Sequence, residues 1–137
     1  MMETPAVPAA PLRSNAARPW LRVEGAAVFL LCAVTYAHLG ASWGLAAALF
    51  LVPDVAMAGY LAGPRVGAWS YNFAHSYALA IGLGLLAQVL DQALVLALAL
   101  ILGAHIGFDR MLGYGLKLPD AFTSTHLGPI GPAARGG

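Results

Sequence analysis

The sequence predicts an all-α integral membrane protein, a four-helix up-down bundle, and three observations carry that expectation. Of 137 residues, 60% are hydrophobic and only 9% charged, where a soluble domain carries roughly 25% charged residues. Four runs, about residues 23–42, 45–62, 66–90 and 93–112, are long enough to cross a bilayer, which takes ~20 mostly apolar residues. The joins between them are short: ASWG, GPR and a turn at Asp91-Gln92. Short joins make consecutive helices antiparallel neighbours.

Residues 1–21, rich in Pro and Ala, lack an apolar stretch ahead of a cleavage site. They are expected to form a disordered cytoplasmic tail rather than a cleaved signal peptide. Residues 22–116 form the four-span bundle. Residues 117–137 form a cytoplasmic polar tail, partly disordered toward its PIGPAARGG end.

Within the first span, Cys32 is expected to be a small core residue, and as a lone cysteine it excludes an intrachain disulfide. Tyr36 and His38 lie near its outer end. Pro53 sits inside the second span and should bend it, freeing the carbonyl of Leu49. Asp54 follows at once. The third span carries Tyr71, Asn72 and His75; the fourth carries His105, Asp109 and Arg110. Gly113 and Gly115 should end the fourth helix. Lys117 should then snorkel to the interface, and His126 should fold back to lid the inner cavity.

Orientation follows from Lys and Arg alone. Arg13, Arg18 and Arg22 precede span one, Arg65 separates spans two and three, and Arg110, Lys117 and Arg135 end or follow span four. All seven fall on one side, so both termini are expected in the cytoplasm. Small residues one turn apart, Gly59-x3-Gly63, Gly63-x3-Gly67 and Gly103-x3-Gly107, let helices approach closely in lipid. They also offer faces for a homodimer.

The ionisable groups inside the spans carry the functional expectation. A carboxylate at the bilayer centre costs about 2.5–3.5 kcal/mol on insertion scales, so intramembrane ionisable residues are rare and usually functional. Counted along antiparallel spans, Asp54, His75 and His105 reach one depth. Asp109 lies one turn below His105, Asn72 and Tyr71 one turn below His75, and Glu24 and Tyr60 near the inner span ends. Asp54, His75, His105 and Asp109 are therefore the expected catalytic set, with Glu24, Tyr60, Asn72, Arg110 and His126 as ligand-binding support. Each has a plainer interpretation. The span-end tyrosines and tryptophans suit an aromatic belt, Asp109-Arg110 a helix-end ion pair, and a single buried histidine a packing role. A mid-membrane aspartate after proline has no such routine use.

Two imidazoles with carboxylates suit acid–base chemistry on a hydrophobic small molecule, or a divalent metal with N/O ligands. If a metal binds, His75, His105 and Asp109 are its expected ligands, although no HExxH, twin ExxH or His-rich box supports that choice. The alternative is a non-catalytic membrane subunit or a small proton-coupled carrier using the same groups. A net charge of +1 gives no field for nucleic acid. No G-x-S-x-G elbow is present, and Gly113-Tyr114-Gly115 lacks the flanking helices of a potassium filter.

The phrases RVEG, YAHLG, PDVAMAGYLAGPRVGAWSYNFAHSY and AHIGFDRMLGYGLKLPDAFTSTHLGPIG stand in this order. With them the chain resembles the bacterial family catalogued as domain of unknown function 4260, over about residues 22–131. The resemblance implies a small multi-pass protein of a bacterial inner membrane, with no assigned activity. Where that family's tail reads GLKYP and THLGRIG, this chain has Leu118 and Pro129, losing an aromatic and a basic residue.

Overall fold

In the computed structural model, which describes residues 16–131, the chain is all-α. Its helices are α1 (Arg18–Leu39), α2 (Trp43–Leu49), a 3-10 helix (Val52–Ala62), α3 (Pro64–Ala74), α4 (Tyr77–Leu90) and α5 (Ala93–Leu112). They join end to end into four segments long and apolar enough to cross a membrane: Arg18–Leu39, Trp43–Ala62, Pro64–Leu90 and Ala93–Leu112. Among the described residues there is no strand, only an isolated bridge between Lys117 and Thr125. The expected disorder of residues 1–15 and 132–137 lies outside the described residues.

Span one begins several residues before the apolar run because Pro19 sits in its first turn, where a missing N–H costs nothing. Arg22 Nε donates to the carbonyl of Met111 at 2.7 Å, tying the start of α1 to the end of α5. Gly40 ends α1 in the left-handed region at φ 70. Tyr36, buried, donates to the Ser42 carbonyl at 2.6 Å and fixes the turn into α2.

Span two departs from expectation. Pro53 does more than bend it. The segment changes winding, from α-helix up to Leu49 to a 3-10 helix from Val52 to Ala62. Proline cannot donate to the carbonyl four residues back, and Asp54 N instead donates to Leu51 O at 3.1 Å, three residues back. Three residues per turn stack positions i and i+3. Asp54, Met57 and Tyr60 therefore share one face.

Span three is also broken, at a place hydropathy does not mark. His75 closes α3 at φ −106, ψ 21, and Ser76 is extended, its hydroxyl accepting from Ala78 N at 3.2 Å to cap α4. Unwound backbone at membrane depth survives only where its polar groups find partners. Here Arg110 Nη2 donates to the His75 carbonyl at 3.1 Å.

The fourth span is the central one. Half of its apolar window is buried, against none of the second span's. It packs against α1 on one side and α4 on the other, while the 3-10 helix packs on α3. The glycines make these approaches possible within the chain. A Cβ on Gly107 would lie 2.7 Å from Gly25 O and Phe29 N, and one on Gly103 would lie 2.8 Å from Cys32 Sγ. Gly67 lies under the ring of Tyr60, and Gly59 faces Ser70. Large apolar side chains such as Leu31, Val55, Leu61 and Val89 point outward, as a lipid-facing surface requires.

Below α5 the chain turns at Gly113 (φ 96) and folds back as an ordered strap. Asn72 clamps it from both sides, its Nδ2 donating to Lys117 O at 2.8 Å and its Oδ1 accepting from Lys117 N at 2.7 Å. His126 N donates to Leu116 O, and Ile130 N to Thr123 O. Lys117 does not snorkel. It is buried, donating to Phe122 O at 2.8 Å beneath the rings of Tyr71 and Phe122. Hydropathy misses this because the strap is held by backbone hydrogen bonds rather than by apolar area.

Candidate intramembrane His/Asp centre

Four side chains from three spans meet in one cluster. Asp54 comes from the first turn of the 3-10 helix, His75 from the break in span three, and His105 and Asp109 from successive turns of α5. One ligand atom from each lies within 4.8 Å of all the others. His75 Nε2 stands 3.0 Å from His105 Nε2, 3.3 Å from Asp54 Oδ1 and 3.5 Å from Asp109 Oδ2. His105 Nε2 stands 3.5 Å from Asp54 Oδ1 and 3.8 Å from Asp109 Oδ2. Asp109, expected one tier below, is thus part of the same cluster.

Both histidines are buried; Asp109 is nearly so, and the Asp54 side chain keeps 32% of its exposure. Outer contacts orient three of the four. His75 Nδ1 lies 2.9 Å from Tyr71 O, which makes it the N–H donor and leaves the Nε2 lone pair facing the cluster. The Tyr71 hydroxyl donates to Asp109 Oδ2 at 3.1 Å, and its ring stacks on His75 at 3.7 Å. His105 Nδ1 is buried with no hydrogen-bond partner among the described residues, and its ring meets Phe50 edge to face at 5.3 Å.

The supporting residues are placed differently. Among the described residues Arg110 forms no ion pair with a carboxylate; it donates to the carbonyls of Tyr114 (2.6 Å) and His75 (3.1 Å). Asn72 holds the strap. The Tyr60 hydroxyl is buried without a partner among the described residues, and its ring packs on Phe122. Glu24 and His126 line a cavity of about 600 Å³ with His75 and Arg110, a cavity that Asp54 does not line. His126 Nδ1 accepts from Leu116 N at 2.7 Å. Partial burial, followed by the charge of Arg110, holds its imidazole below the usual histidine range.

A cavity of about 470 Å³ touches the centre directly, lined by Asp54, Asp109, Tyr71, Lys117 and, around them, Met57 and Phe122. Burial pulls the Lys117 ammonium below its ordinary range, against the opposing attraction of Asp109. Both polar cavities end at the strap. The cavity on the far side of His105, about 530 Å³, is lined by apolar and aromatic side chains such as Phe29, Leu100 and Phe108.

Tyr71 is the residue that sequence reasoning undervalued. An aromatic near a span end reads as belt, and only its position one turn before His75 hinted otherwise. The family model described as "Domain of unknown function (DUF4260)" matches residues 18–130. No curated protein and no solved structure matches the chain.

Proposed function

The chain belongs to the DUF4260 family, and from that premise we propose that it is a multi-pass protein of a bacterial inner membrane which holds a divalent metal ion, zinc fitting best, at mid-membrane. The ion would serve metal-assisted acid–base chemistry on a membrane-soluble small molecule. All described Lys and Arg lie toward the strap side, and the excess of such residues on the cytoplasmic side supports an orientation with both termini in the cytoplasm.

One observation carries the metal assignment. Ligand atoms around a tetrahedral ion, bound at about 2.0–2.1 Å, stand about 3.3 Å apart. Five of the six separations between the four atoms run from 3.0 to 3.8 Å. Two imidazoles and two carboxylates are the N/O donor set such an ion takes. Two Nε2 atoms turned toward each other beside two carboxylates need a cation or shared protons between them. Tyr71 adds the outer support, holding both His75 and Asp109, that metal ligands ordinarily have.

The roles divide by exposure. His75 and His105 are buried and Asp109, though it also lines the 470 Å³ cavity, is only 14% exposed; these three would hold the ion. Asp54 faces the 470 Å³ cavity and is the position that can exchange with a bound molecule, or take a proton from it, as an open catalytic site requires. The ion itself would supply Lewis acidity.

A carrier is the second interpretation, since the cluster touches two polar cavities. Both cavities end on the strap side, however, and the cavity beyond His105 is apolar. Access from one side favours a binding or catalytic centre.

The test is zinc uptake by equilibrium dialysis of the full chain in detergent, measured by elemental analysis. The proposal predicts about one zinc per chain, lost in His105→Ala and in His75→Ala. No zinc retained by the unmodified chain, or zinc retained undiminished by both variants, overturns it.

A further inference from the structure

We infer that the cavity beneath the centre receives an amphiphile carrying a single anionic oxygen headgroup, bound between the metal centre and Lys117. This rests on the metal assignment and names the class of molecule the site takes.

The lining of the cavity leaves one charge unmatched. Asp54, Asp109 and Lys117 are the charged side chains lining the cavity. A divalent ion cancels the two carboxylates and leaves the ammonium unbalanced. Among the described residues Lys117 makes no ion pair, and a buried charge without a partner is costly. A singly charged oxyanion restores neutrality in that low-dielectric space.

Hydrogen bonding points the same way. An ammonium has three donors. Lys117 Nζ has one acceptor among the described residues, Phe122 O at 2.8 Å, and otherwise lies over aromatic rings, 4.0 Å from the Phe122 centroid and 5.2 Å from that of Tyr71. The side chain is only 4% exposed, so its remaining donors face the cavity rather than bulk water. An oxygen headgroup seated there can meet both Lys117 and the exchangeable position at Asp54.

The rest of the lining sets the apolar half of the ligand. Met57, Phe122 and Ile130 present hydrocarbon and aromatic surface. The volume of about 470 Å³ lies in the usual range for small-molecule sites, about 300–1,000 Å³. A bare inorganic anion would leave this surface unfilled, and a neutral lipid would leave Lys117 unbalanced.

The experiment uses the zinc-loaded full chain in a neutral maltoside detergent, with zinc content measured first. Binding of oleate, oleyl alcohol and inorganic phosphate is then compared by calorimetry. Oleate should bind about tenfold or more tightly than either of the others, the worth of a hydrogen bond to a charged group. Lys117→Met should lose about tenfold in oleate binding with zinc content unchanged, and Lys117→Arg should retain most of it. Oleyl alcohol binding as well as oleate, phosphate binding as well as oleate, or an unaffected Lys117→Met variant overturns the inference while the metal centre stands. A chain that takes up no zinc overturns both. The three-ligand comparison on the unmodified chain stands whether or not a Lys117 variant folds.

Discussion

The Tyr71 hydroxyl donates to Asp109 Oδ2 at 3.1 Å across two spans. The same side chain stacks its ring on His75 at 3.7 Å. One residue thus orients an acidic and an imidazole member of the cluster without belonging to it.

Tyr71→Phe keeps the ring and removes the hydrogen bond. Outer partners of metal ligands are typically worth about 10–100-fold in metal affinity, so zinc affinity should fall by about that factor. The thermal stability of the zinc-free chain should drop only by the worth of one hydrogen bond, about 1 kcal/mol. Competition with a chelator for zinc, alongside melting curves in detergent, separates the two. Equal zinc affinity in Tyr71→Phe would show that the hydroxyl plays no part in the centre.

Two glycines of similar sequence setting should respond oppositely to alanine. At Gly107 the added Cβ would meet the backbone of Gly25 and Phe29 at 2.7 Å, atoms that cannot move without parting α1 from α5. Overpacking of this kind costs about 1–3 kcal/mol. At Gly82 nothing lies within 4 Å, and alanine should be neutral or gain up to about 1 kcal/mol of helix propensity. Unfolding of both variants in the same detergent is the check, and similar stabilities would contradict the α1–α5 packing.

The strap should loosen in acid through His126. Partial burial and the nearby Arg110 lower its pKa in the folded chain, so the undocked strap binds the proton more readily. Docking is then fully supported above about pH 6.5, the ordinary imidazole value. It weakens as pH falls below that, when Nδ1 can no longer accept from Leu116 N. Glu24 lines the same cavity. Amide exchange over residues 116–128, corrected for intrinsic pH dependence, should accelerate from pH 7.5 to pH 5.5, and His126→Gln should abolish the difference. Exchange insensitive to pH in the unmodified chain would refute this.

Much of the architecture was legible in the sequence because burial in lipid leaves a one-dimensional record. Apolar length gave the four segments, and counting residues along them placed Asp54, His75 and His105 at one depth. The record fails where backbone hydrogen bonding decides. Pro53 signalled a bend, but the 3-10 winding that aligns Asp54, Met57 and Tyr60 depends on how the following amides re-pair. The break at His75–Ser76 had one cue, a serine able to cap α4, inside an otherwise unbroken hydrophobic stretch. Lys117 followed the rule for exposed lysines only until Asn72 clamped the strap over it. Tyr71 was hidden for a different reason, since a belt tyrosine and a tyrosine holding Asp109 look alike until the third dimension is known.

X-ray absorption at the zinc edge of the zinc-loaded chain tests most directly whether Asp54, His75, His105 and Asp109 together bind one ion. A four-coordinate first shell of light atoms at about 2.0–2.1 Å, with the outer-ring scattering of two imidazoles, is the expected result. A shell of oxygens alone, or one carrying a single imidazole or none, would contradict it.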